Sequence, residues 1–172
     1  MLKTDRSNNA INKKRGDELM GFYRVVALLT ASCFFIFSAF ISWYEGAKLL
    51  DIPWEWKHTA IFSVWRHGEV TTPGEIMGID HFIYAAKFQP LFPVLMISSA
   101  LVVIYLLASW ILKNNKLAFN ACMLAIGVLL FSASIGLADS PTKGLGFLSV
   151  YFLFMSVFSI GYIFLLSPKI LR

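Results

Sequence analysis

"VVALLTASCFFIFSAFISW", residues 25–43, holds nineteen residues without one Asp, Glu, Lys, Arg or His. At a rise of about 1.5 Å per residue, a helix of that length crosses a hydrocarbon core of about 30 Å. Backbone amides in lipid must be hydrogen-bonded within their own segment or within a closed barrel, and this run lacks the alternation of a barrel strand. It reads as a membrane-spanning helix. Residues 91–112, 117–137 and 145–166 are uncharged runs of the same kind.

Composition agrees. The chain is 58% hydrophobic with 15% charged residues, against about 25% charge in soluble domains, and its mean hydropathy is +0.68. Its 172 residues leave room for one compact unit but not for a bundle plus a separate soluble domain. The expected fold class is an all-α membrane protein, a four-helix transmembrane bundle over residues 21–172. Residues 1–20, dominated by Asn, Lys, Asp and Arg, are expected to form a disordered cytoplasmic tail, within which Met20 is an alternative start.

Connection lengths set the topology. Residues 113–116 and 138–144 are short links, so the last three spans run antiparallel as neighbours, whereas the first and second are separated by the 47 residues of 44–90. Basic residues are retained on the cytoplasmic side of a membrane. The amino-terminal segment, the 113–116 turn and the carboxy-terminal end carry ten Lys and Arg, while the opposite side carries five against seven acids. Both termini of a multi-pass membrane protein are therefore expected in the cytoplasm, with the long loop outside. The net charge of +5 follows from this asymmetry and from attraction to anionic lipid, and nucleic acid is not an expected partner.

Several function classes lack their chemistry. Cys33 and Cys122 lie singly inside spans, so no accessible thiol pair exists for disulfide exchange. Proton or ion relays place ionisable groups within spans, and none is present. No A-x-A-like cleavage site follows the first span, and the residues after "LLTASC" are apolar where a mature lipoprotein would be polar. Small residues four apart, Ala27/Ala31, Ala121/Ala125 and Ser132/Gly136, are expected to form helix-packing seams.

The informative polar chemistry is in the outer loop. Residues 42–69 hold four of the five tryptophans and two of the three histidines. Trp43 and Tyr44 close the first span, where amphipathic rings favour the bilayer boundary. In "IPWEWKHTAIFSVWRHGEV", residues 52–70, Trp54, Trp56, His58 and Ala60 alternate with Glu55, Lys57 and Thr59, which predicts a short β-hairpin. Thr72, Pro73 and Glu75 then form a helix-start signature. The amphipathic helix it opens is expected to place Ile76, Ile79, Phe82, Ile83 and Ala86 on one side, with Asp80, His81, Tyr84 and Lys87 elsewhere, and to end at Pro90.

His58, His67 and His81 with Glu55, Glu69 and Asp80 are residue types that ligate zinc, but no HxH or HExxH spacing arranges them, so they are read as solvent or interfacial groups and no metal or cofactor is expected. Serine elbow, P-loop and dinucleotide-binding turns are absent from the sequence.

Through "SWYEGAKLL" (42–50) and "PWEWKHTAIFS" (53–63), following the first span, residues 25–70 resemble the small YjdJ-type membrane proteins of spore-forming Gram-positive bacteria. The resemblance implies a bacterial plasma membrane protein of an uncharacterised family and brings no activity or site residues. The plan of a long first outer loop before three tightly connected spans is also similar to claudin-like proteins, in architecture only, since their glycine-leucine-tryptophan motif and paired loop cysteines are missing.

Three functional expectations follow. The leading one is a non-enzymatic protein that uses Trp43, Tyr44, Glu45, Trp54, Glu55, Trp56, Lys57 and Trp65 for contact with lipid or another membrane or envelope protein, the plainer version being that these rings only seat the loop on the bilayer. The second is an enzyme acting on a lipid or envelope precursor through the cluster of His58, His67, His81 and Asp80. The third is a sensor or accessory subunit of a transporter or kinase.

Overall fold

The computed structural model describes the backbone of residues 2–166 and the side chains of residues 19–163. Most of the polar tail expected over residues 1–20 therefore lies outside the described side chains. Helix α1 (Leu2–Gly46) is followed by a 3-10 turn at Ala47–Asp51 and by two short helices, α2 (Pro53–Thr59) and α3 (Ile61–His67). A second 3-10 turn at Pro73–Glu75 leads into α4 (Gly78–Phe88), and then come α5 (Leu91–Ile111), α6 (Lys116–Ala138) and α7 (Lys143–Leu166). Among the described residues, four helices are long and apolar enough to cross a membrane, over Leu19–Asp51, Leu91–Ile111, Lys116–Ala138 and Lys143–Ile163.

The spans associate as two pairs. α1 packs along α5 and α6 packs along α7, while α5 and α6 touch little beyond the turn that joins them. Asn115 starts α6 sharply, its side-chain oxygen accepting a hydrogen bond from the Ala118 amide at 3.0 Å, as an N-cap does.

Serines hold α6 to α7. Ser134 Oγ donates to the Ser149 carbonyl and Ser149 Oγ to the Ser134 carbonyl, both at 2.8 Å, and Ser156 Oγ donates to the Gly127 carbonyl at 2.8 Å. Such bonds act where apolar association between helices gains nothing over lipid. Tyrosines tie α7 to α5, through Ser98–Tyr151 at 2.7 Å and Tyr105–Ser159 at 2.6 Å. The seam therefore runs through Gly127 and Ser134, and the small residues expected there, Ala121, Ala125, Ser132 and Gly136, are exposed. Several positions of each run fit the same spacing, and only the partner helix selects among them.

The segment between α1 and α5 is helical, not a hairpin. No strand occurs among the described residues. Burial at Glu55, Trp56, Thr59, Ala60 and Ser63 recurs every three to four residues, the period of a helix. Pro53 occupies the first turn of α2, where its missing N–H costs nothing. The alternation of residue types across 54–60 misleads because two of the buried positions there, Glu55 and Thr59, are polar. The Thr72/Glu75 capping box is formed, yet it opens a single 3-10 turn, and α4 begins only at Gly78.

α4 is the keystone of the cap that this segment forms. It rests on α1, reaches α5 and α7, and carries the 3-10 turn, α2 and α3 on its other sides. Its orientation also departs from expectation, for Asp80, His81, Tyr84 and Ala85 face inward while Ile79 is exposed. Two glycines permit the approach. A Cβ at Gly46 of α1 would overlap the His81 carbonyl, and one at Gly144 of α7 would overlap the carbonyls of Ala86 and Lys87.

Candidate functional site: the cap between α1 and α5

A small apolar centre organises the cap. Leu49, Trp56, Ala60 and Tyr84 are buried together, with Ile52, Val70 and Ile76 packed around them. The Trp56 indole donates from Nε1 to the Leu49 carbonyl at 2.8 Å, which satisfies the one polar atom of a ring otherwise suited to a core. Burial and the negative charge of Glu55 together raise the Tyr84 pKa above that of a free phenol, so this ring is neutral throughout the physiological range.

Two carboxylates are enclosed beside this centre. Asp80 is fully buried and reaches from α4 to the first turn of α3. There it accepts from the backbone amides of Phe62 and Ser63, each at 3.0 Å, and from Ser63 Oγ. Those amides lack intrahelical acceptors, so Asp80 supplies in trans the cap that α3 has no local residue to provide. Ser63 Oγ in turn accepts from the Met77 amide at 2.8 Å, fixing the start of α4.

The second carboxylate, Glu55, pairs with Lys87. Their separation is 3.2 Å, and both side chains are largely enclosed. Lys87 Nζ also donates to the His58 carbonyl and to Thr59 Oγ1, each at 2.8 Å, so all three ammonium hydrogens have acceptors. Thr59 Oγ1 donates onward to Glu55. This closed set of bonds offsets the desolvation that makes a buried ion pair costly.

His81 differs. Its ring is buried against Trp43, with ring centroids 5.6 Å apart, and among the described residues neither ring nitrogen meets a hydrogen-bond partner, nor does the buried Ser42 hydroxyl of α1. Burial holds the imidazole pKa below its ordinary value, outweighing the opposing charge of Asp80. His81 is therefore neutral at pH 7.

The residues singled out from sequence thus divide. Glu55, Trp56, Asp80 and His81 are interior. Glu45 is partnered, its carboxylate accepting from the Gln89 amide nitrogen at 3.0 and 3.1 Å, while the Gln89 oxygen accepts from Lys48 Nζ at 3.0 Å. His58, His67 and Lys57 are exposed on α2 and α3, and the described residues contain no group of three His, Cys, Asp or Glu able to hold a metal. What faces outward is aromatic. Trp54 is 69% exposed and Trp65 is 87% exposed, and Phe62, Trp65, Arg66 and Met77 line an open groove of about 390 Å³. Trp43 and Tyr44 remain at the end of the first span.

Lys87, Thr59 and Ser63 complete the buried network, and the sequence carries a signal for them. Glu55, Thr59 and Ser63 repeat at four-residue spacing, and Asp80 and Lys87 lie two helical turns apart, so two polar stripes were available to face each other.

Comparison with known proteins follows this anatomy. Residues 25–112 match the family described as domain of unknown function DUF4306. The matched stretch contains α1 from its first spanning residue, the whole cap and α5, and it stops at the turn before α6. The chain is 36% identical over 102 residues to "Uncharacterized protein YjdJ" of Bacillus subtilis (strain 168), a match covering 57% of this chain and 94% of the relative. The α6–α7 pair lies outside the family match. No solved structure matches the chain.

Proposed function

The chain belongs to the DUF4306 family, and from that premise we propose a non-enzymatic, multi-pass protein of the bacterial plasma membrane whose outer cap docks another envelope protein. Both termini are cytoplasmic in this reading, by the distribution of basic residues. The supporting observation is the exposure of Trp54 and Trp65 on a cap whose buried carboxylates, Glu55 and Asp80, are both engaged inside it. Large apolar rings cost free energy in water, and Trp and Arg, adjacent here as Trp65 and Arg66, are among the residue types enriched in binding hot spots at protein interfaces. The α2–α3 platform under them is rigid because Asp80 and Lys87 fasten it to α4.

An enzymatic role for the cap has less support. Asp80 and Glu55, the acids such chemistry would use, are engaged with backbone amides and with Lys87, and His81 is stacked on Trp43 rather than turned to a cleft. Bilayer seating is favoured for one subset only, Trp43 and Tyr44 at the boundary of the first span.

The test replaces Trp54 and Trp65 together by Ser in the full chain. Complexes isolated from gently solubilised membranes lose the docked protein, while thermal unfolding of the purified variant is unchanged. Unaltered complexes, with quenching of these two tryptophans by brominated lipid, would assign the surface to the bilayer instead.

A further inference from the structure

We propose that the cytoplasmic ends of α1 and α5 form a binding site for one anionic phospholipid, with Arg24 and Lys113 holding its phosphate and the cleft between the helices taking an acyl chain. α1 buries Ala31, Ser38, Ser42 and Gly46 but no residue between Leu19 and Thr30, so the two helices are joined in their outer halves and part below. The parting leaves a cleft of about 620 Å³ lined by Val25, Leu28, Leu107 and Trp110 together with Arg24 and Lys113.

The occupant follows from chemistry. Among the described residues the cleft is lined by apolar side chains and two cations, without an Asp or Glu, and neither cation has an ion-pair partner. An apolar partner helix would leave both charges unpaired. A free anion would leave the apolar walls wet. A lipid with a net negative headgroup satisfies both, and Trp110 sits at the depth where an indole spans the two environments. Arg presents a planar fork to a phosphate and Lys a point charge, a combination found at basic lipid sites on the cytoplasmic side.

The site's leaflet depends on the orientation proposed above, whereas binding in detergent does not, so the two fail separately. The full chain, purified in a neutral detergent, is titrated with phosphatidylglycerol and with phosphatidylethanolamine of identical chains, and bound lipid is counted by native mass spectrometry. The unmodified chain is expected to prefer phosphatidylglycerol by roughly tenfold or more, each cation supplying a factor of about five. Excess glycerophosphate, which has no chains, leaves that lipid bound. Arg24→Gln with Lys113→Gln abolishes the preference, the exchange Arg24→Lys with Lys113→Arg keeps it, and Lys57→Gln in the outer cap leaves it unchanged. Should the double variant not fold, raising ionic strength on the unmodified chain reads the same loss. Equal binding of the two lipids, a preference that survives the double substitution or high salt, or displacement by glycerophosphate would each overturn the proposal.

Discussion

Asp80 and Ser63, seventeen residues apart in sequence, share a buried contact in which the Asp80 carboxylate takes both the backbone amide and the hydroxyl of Ser63. The contact joins α4 to α3 and turns two short helices, each too short to persist alone, into one platform. Asp80→Ala leaves those α3 donors without their acceptor in a dry setting, a loss of about 1–3 kcal/mol. Asp80→Asn keeps one acceptor and loses less. Hydrogen exchange of the Phe62 and Ser63 amides checks the order, with the alanine variant exchanging fastest.

Glu55 and Lys87 make the corresponding join between α2 and α4. Removing either partner strands a buried charge, so Glu55→Gln and Lys87→Met are each expected to cost about 3–5 kcal/mol, while the double variant costs less than their sum. Thermal unfolding of the four proteins in one detergent closes the cycle. Additive costs would show that the pair is not coupled.

The spans were legible in sequence, and the cap was not. Uncharged runs mark lipid whatever their partners, which is why four helices emerge near the expected bounds. The polar stripe of Glu55, Thr59 and Ser63 could be placed in the interior only by knowing that Lys87 and Asp80 lie opposite, up to 32 residues away. Without them, the acids and hydroxyls read as a solvent face and the segment as a strand. Trp54 and Trp56 are alike in type and two residues apart, yet one is exposed and the other is core. The Thr72/Glu75 box was legible because its partners are local, though the length of helix it opens was not.

His81 gives the cap a pH dependence of definite sign. Its folded-state pKa lies below the ordinary 6.5 because burial disfavours the charged ring. The unfolded chain therefore binds the proton more readily, so the contribution is fully present above about pH 6.5 and is lost as pH falls through the folded value. His81→Phe preserves the stack on Trp43 and removes the proton site. Melting temperature measured between pH 7.5 and 5 is expected to fall with acidification in the unmodified chain, with a smaller slope in the variant.

Gly46 and Gly144 are expected to be the least tolerant glycines. Alanine at either forces a methyl into the carbonyls of α4, at a cost of about 1–3 kcal/mol or a parting of the helices. Gly136→Ala, with nothing within 4 Å of the added Cβ, is expected to be neutral or slightly stabilising, as alanine favours helix. Melting temperatures of the three single variants make the comparison.

The most direct test of an outward-facing cap is cysteine labelling on intact cells. With Cys33 and Cys122 replaced by Ser, Glu69→Cys in the cap and Asn114→Cys in the turn before α6 are treated with a membrane-impermeant maleimide. The cap cysteine is predicted to react on whole cells, and the turn cysteine only after permeabilisation. Labelling in the reverse order would place the aromatic cap in the cytoplasm and contradict the proposed envelope-facing role.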